Sequence, residues 1–109
     1  MMLVIQTQDY ENYAAHEGFD GNFRWKAKGG SEYKITNIPR GIDVESIVEA
    51  VRGSIERFDN YFQTHIIGYS VESDDYLSWF EQSQLEYEGE IRYAEPLLDY
   101  NEVVDKTIA

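Results

Sequence analysis

The sequence predicts an α+β fold, a mainly antiparallel sheet of about five strands with one long and one or two short helices packed on one face. Three observations predict it. Residues 23–37 alternate polar and apolar side chains around Gly29-Gly30, the pattern of a two-stranded hairpin. Val44, Ile47, Val48, Val51, Ile55, Phe58 and Phe62 recur at helical spacing and draw one apolar stripe along residues 43–62. The opening run, residues 1–7, is uncharged and centred on Leu3, Val4 and Ile5, as a buried strand requires.

Taken in order, residues 1–7 form the first strand. Residues 8–22 have no clean period and carry Gly, Asp and Asn, which predicts a long loop. In 23–28, Phe23, Trp25 and Ala27 face one way and Arg24, Lys26 and Lys28 the other. Gly29-Gly30 supplies the positive φ of a tight turn, and Tyr33 and Ile35 continue the apolar face on the return strand, opposite Glu32, Lys34 and Thr36. Pro39, Arg40 and Gly41 break the sheet. Asp43 is a good N-cap, and Ile42 before it can pack on Ile47. Glu45, Glu49, Arg52, Glu56 and Asp59 form the polar face of the long helix. Gly53 within it costs about 1 kcal/mol against Ala and predicts a close approach to the sheet.

Residues 64–72 form a strand with His65, Ile67, Tyr69 and Val71 on one side. Ser73 caps a short helix over 74–84, with Asp74 and Asp75 complementing its dipole. Residues 85–93 alternate again, Glu86, Glu88, Glu90 and Arg92 against Leu85, Tyr87, Ile91 and Tyr93, which predicts a strand ending before Pro96. The tail forms a short docked helix with a frayed end. No repeat or linker divides the chain, so a single compact domain over 1–109 is expected.

The bulk composition bounds the function. The chain has 109 residues, 42% of them hydrophobic, enough for one packed core. With no cysteine, disulfides and thiolate metal sites are excluded. The N-terminus lacks the basic and apolar regions of a signal peptide, and no apolar run approaches a membrane span, so a cytoplasmic protein is expected. The net charge is -12, and its distribution is uneven. Residues 1–42 hold five acids and five bases; residues 43–109 hold 16 acids and four bases. Direct binding to nucleic acid or to anionic membrane is disfavoured, because both need a basic surface.

Three constellations bear on chemistry. The loop at 8–22 gathers Asp9, Glu11, His16 and Asp20, a candidate general-base or hard-metal ligand set. Its spacing matches neither a zincin helix nor an EF-hand, and the competing reading is a solvated loop whose Asp and Asn make local turns. His65 is either a partner for His16 or a half-buried strand residue. No serine sits in a nucleophile elbow, and Gly29-Gly30 lacks the spacing of a phosphate loop. No cofactor and no metal are expected.

The third constellation is the acidic stretch from 72 to 105, which holds eleven acids and Arg92 as its one base. On a strand, Glu86, Glu88 and Glu90 would lie about 6.7 Å apart, close to twice the spacing of phosphates along a DNA strand. With the interleaved aromatics, the partner-binding set is Asp74, Asp75, Trp79, Glu81, Glu86, Tyr87, Glu88 and Glu90. The competing reading is solubility, since net charge also keeps proteins dispersed. The stripe Arg24, Lys26 and Lys28 could meet an acidic face of a second copy, giving a homo-oligomer.

The pieces MLVIQTQ, E-N-Y-x-A-H from Glu11 to His16, and W-K-x-K-G-G-x-x-Y from Trp25 to Tyr33 carry a resemblance. Over residues 2–37 the chain resembles the opening of small uncharacterised acidic proteins encoded by bacteriophages. No functional residue carries over. The resemblance implies a context, an inhibitor of host enzymes or host defence with a charge layout like that of DNA. The expectation is therefore a small non-enzymatic binding protein, a DNA mimic in kind, that occupies a basic nucleic-acid-binding site on a host protein. The alternative is a small enzyme or metal- or ligand-binding domain centred on the 8–22 loop.

Overall fold

A computed structural model describes residues 1–12, 25–91 and 97–103. The fold is α+β. The apolar opening becomes β1 (Met2–Asn12), longer than predicted and central to the sheet. One edge of β1 pairs antiparallel with β5 (Phe62–Glu72), from Met2 opposite Glu72 to Glu11 opposite Phe62. Its other edge pairs antiparallel with two strands placed end to end. β3 (Glu32–Thr36) lies beside Leu3–Gln6, and β2 (Trp25–Gly29) beside Asp9–Asn12. The short β4 (Arg57–Phe58) pairs antiparallel with β5, and β6 (Leu97–Asp99) runs parallel beside β3. The sheet is therefore mixed, which corrects the expectation of a mainly antiparallel one. Register shifts at Gln6/Thr7 and Asp9/Tyr10 add local twist and curl it.

The predicted hairpin is also corrected. β2 and β3 do not pair with each other; both follow β1, so the chain does not reverse at Gly29-Gly30. The doublet is a jog in one long path along β1. Gly29 has φ 111°. A Cβ on Gly30 would lie 1.9 Å from the Thr7 carbonyl oxygen, so no side chain fits there. Thr7 closes the gap with its N–H to the Ser31 carbonyl at 2.9 Å, while its hydroxyl accepts from the Ser31 N–H at 3.1 Å. Positive-φ glycines serve bulges as well as turns, and only pairing distinguishes them. Of the expected 8–22 loop, residues 8–12 belong to β1; the rest lies outside the described residues.

α1 (Val44–Ile55) starts where predicted, with Asp43 accepting from the Glu45 N–H at 3.2 Å. Ile47, Val48, Val51 and Ile55 are buried against Leu3, Ile5 and Ile35 of the sheet. Each fully buried aliphatic side chain contributes about 1.5–3 kcal/mol. The helix stops at Glu56 rather than reaching Phe62. The Glu56 carboxylate accepts from the Ile66 N–H at 3.0 Å. Asp59 takes the N–H groups of Tyr61 and Phe62 at 2.8 and 2.6 Å, an Asx-type turn that joins β4 to β5. Phe58 is exposed. Gly53 is exposed too, and a Cβ there would meet nothing within 4 Å, so no close approach to the sheet explains it.

Alternation along β1 sends Leu3 and Ile5 to the α1 side and Met2 and Val4, also buried, to the other. On that second face, where Lys34 lies beside Val4, Lys34 pairs with Glu81 of α2 (Trp79–Glu88) and Tyr76 just before the helix bonds Glu32. Helices thus lie on both faces of the sheet, where one had been expected. Along β5 an extra residue, Ile67, falls between Gly68 opposite Gln6 and Ile66 opposite Thr7. Tyr69 and Val71 therefore share the α1 face with Ile66, and His65 lies on the opposite face, not in line with them. The tail begins with β6 instead of a helix; a helical turn follows at 100–103, with Val103 buried in the core. Among the described residues, no helix is long and apolar enough to cross a membrane.

Candidate functional site

The helix predicted over 74–84 with Ser73 as its cap starts instead after Ser78 and runs on through Glu88. Residues 85–88 of the predicted strand 85–93 are therefore helical, 89–91 are neither helix nor strand, and 92–93 lie outside the described residues. Ser73 donates its hydroxyl to Asp75 instead. The Ser78 hydroxyl accepts from the Glu81 N–H at 3.2 Å, and the Glu81 carboxylate accepts from the Ser78 N–H at 3.2 Å. This reciprocal capping box is visible in the sequence as Ser-Trp-Phe-Glu. Gly89 ends the helix in the left-handed conformation, φ 74°, with its N–H on the Leu85 carbonyl at 3.1 Å.

α2 is inverted. Its buried residues are Glu81 and Gln84, whereas Trp79 is 80% and Tyr87 85% exposed. Phe80 and Leu85, which were not in the predicted partner-binding set, are about half exposed on its flanks. Glu81 is held inward by a buried ion pair with Lys34 of β3. Burial pushes the Glu81 carboxyl up, but the hydrogen bonds from Lys34 and Ser78 outweigh it and hold the group below its ordinary range. Tyr76 braces the same corner. Its hydroxyl donates to Glu32 at 3.0 Å, and the Lys34 ammonium lies 5.5 Å from the centre of its ring. Burial and the Glu32 carboxylate push the Tyr76 hydroxyl up to about 12.

The predicted partner-binding residues divide accordingly. Glu81 leaves the set, because it is buried and neutralised. Glu86, Glu88 and Glu90 do not form a strand row. Successive residues on a helix turn by about 100°, so Glu86 and Glu88 point to nearly opposite sides, and Glu90 follows the Gly89 cap. All three remain exposed, as do Asp74 and Asp75. Asp74 lies 3.2 Å from the Met1 amino group. The Ser73 hydroxyl keeps the Asp75 carboxyl below its ordinary range. The structure thus brings together Trp79, Glu86 and Tyr87 on one exposed side of α2, with Trp79 and Tyr87 two turns apart, about 12 Å along the axis.

The alternative ligand set is only partly described. Asp9 accepts from the Thr64 hydroxyl at 2.7 Å, and Glu11 pairs with Lys28 at 2.5 Å. His16 and Asp20 lie outside the described residues. His65 is a half-buried strand residue, edge-on to Tyr10 and Phe58 at ring distances of 5.5 and 5.0 Å, with Gln63 Oε1 3.0 Å from its Nε2. Among the described residues, no three His, Asp or Glu side chains converge on a metal site. Of the predicted basic stripe, Lys26 is exposed, Lys28 is paired, and Arg24 lies outside the described residues.

Comparison with family models, with curated proteins and with solved structures found no match to the chain.

Proposed function

We propose that this is a non-enzymatic binding protein that uses the exposed side of α2 to occupy a basic, nucleic-acid-binding surface on a partner protein. The observation that carries the reading is the inversion of α2. A helix that buries Glu81 and Gln84 while offering Trp79 and Tyr87 to water has its aromatic surface turned to where a partner would sit. Trp and Tyr are the residues most enriched among binding hot spots. Glu86 beside the aromatics provides the nearest carboxylate, the exposed Asp74, Asp75, Glu88 and Glu90 add to the negative field, and the carboxylates stand in for phosphates by charge. The spacing of a strand row plays no part. The phage-like context of residues 2–37 makes a host enzyme that handles DNA the partner class to test first.

The experiment is a binding titration against a basic DNA-binding enzyme from a bacterial host, at about 50 and 500 mM salt, with duplex DNA as competitor. Binding should weaken at least tenfold at the higher salt, and DNA should displace the protein. Trp79→Ala with Tyr87→Ala should each lose about 2 kcal/mol or more of binding with little loss of stability, because neither side chain is buried. Affinity that ignores salt, or that survives both aromatic substitutions, would exclude this surface.

A further inference from the structure

We infer a second binding site, for an extended basic peptide that adds as a strand to the open edge of β5 beside α1. Three observations meet there. β4 covers only Gln63 and Thr64 of β5, so from Ile66 to Glu72 the outer edge has no strand partner among the described residues. An edge of this kind presents a backbone template for another chain. Its residues 66–71, Ile-Ile-Gly-Tyr-Ser-Val, carry no charge in a chain of net charge -12, and Ile67 is 61% exposed.

The second observation is a groove of about 370 Å³ between this edge and α1, with Val48, Ile66 and Ile67 as its apolar surface. A strand bound there lies between a helix and a sheet edge, gaining ladder hydrogen bonds from one side and side-chain contacts from the other. The third is charge. The groove and its end carry Glu45, Glu49 and Glu56 against Arg52 alone, which bonds Glu49 at 2.9 Å and Glu56 at 3.2 Å. Tyr69 donates its hydroxyl to Glu45 at 3.2 Å. The surplus is anionic, so the complementary occupant carries lysine or arginine. Its alternate residues would be apolar, because side chains along a strand face opposite ways.

The edge is already engaged at one point. Glu56 fills the Ile66 N–H with a carboxylate oxygen, which does for one amide what a strand carbonyl does for a row of them. A bound peptide continues the pairing from that position. Ile67 also lines a hollow with Trp79 and Phe80 of α2, whereas Glu45, Val48 and Glu49 line only the groove beside α1, so substitutions at Glu45 and Glu49 test this site independently of the proposed function.

The test uses a blocked hexapeptide of alternating valine and lysine as the probe, titrated into the isotope-labelled protein. Amide shifts should concentrate in residues 66–72 and the facing side of α1, and amides of that edge should exchange at least tenfold more slowly when the peptide is bound. Replacing Glu45 and Glu49 together by Gln should weaken binding about tenfold at low salt, with an unchanged amide spectrum elsewhere as the folding control. An N-methylated version of the peptide, which cannot form the ladder, should not bind. The proposal is overturned if the alternating valine–glutamate peptide binds as well, if the shifts map to α2, if no binding occurs, or if β5 proves to be paired with a second copy in a sedimenting dimer.

Discussion

Lys34 and Glu81 meet in the interior between β3 and α2, each only 5% exposed. Taking either charge away leaves the other buried without its partner. Lys34→Met is expected to cost about 3–5 kcal/mol, while replacing both residues by apolar ones of similar volume should be near neutral or stabilising. Chemical denaturation of the two single variants and the double variant measures this. The pair also sets a pH response. The carboxyl of Glu81 is held below its ordinary value of 4.5, so its contribution is fully present above that value and is lost as pH falls through the lower folded-state value. A stability profile from pH 6 to about 2 should fall less steeply in the apolar double variant. Gly30 is the other residue with no tolerance. Gly30→Ala drives a Cβ against the Thr7 carbonyl oxygen, backbone on backbone, and should destabilise by about 2 kcal/mol or more.

Among the elements, α1 was legible from its N-terminus because an Asp43 cap, a following apolar stripe and a polar face all agree. Its end was not legible, because Phe58 and Phe62 keep helical spacing while Glu56 bonds the amide of Ile66 ten residues on and Asp59 turns the backbone locally through the amides of Tyr61 and Phe62. The Gly29-Gly30 jog has the same composition as a hairpin turn, and only the pairing of both flanking strands with β1 tells the two apart. α2 misled for a physical reason that bears on function. Periodicity assumes apolar residues point inward, and in α2 the polar Glu81 and Gln84 do so. The apolar–polar alternation of 85–91 then imitates a strand. The Ser78–Glu81 capping box was the local signal that outranks it. The candidate site was thus half legible: its exposed aromatics and acids were named and Trp79 was placed on a helix, but the helical arrangement of Glu86, Tyr87 and Glu88 and the burial of Glu81 were missed. The element level yields its own test. Gly53 sits in α1 with open space around it, so Gly53→Ala should stabilise by about 0.5–1 kcal/mol, read as a rise in the thermal midpoint.

For the whole molecule, the net charge of -12 works against the fold and for the proposed contact. Sixteen acids and four bases share residues 43–109, so the acids outnumber the bases available to pair with them within that stretch; Arg52 meets Glu49 and Glu56, Arg57 meets Asp59, and Asp74 meets the Met1 amino group. Such pairs near the surface are worth little individually, so the remaining like charges leave a repulsion that salt relieves. Raising ionic strength from about 0.01 to 0.15 M shortens the screening length from about 30 to 8 Å. The free protein should become more stable over that range, with a higher thermal midpoint. Binding to a basic partner should weaken over the same range, because the field that strains the free protein is the one that attracts the partner. Opposite signs of the two salt responses, measured on one sample by thermal melts and by titration, separate a charge distribution used for recognition from one that only disperses the protein. If salt stabilises the fold and leaves every interaction unchanged, the acidic half serves solubility alone. If Glu86→Lys with Glu88→Lys raises the midpoint at low salt and removes the salt dependence of binding, repulsion and recognition reside in the same carboxylates on α2.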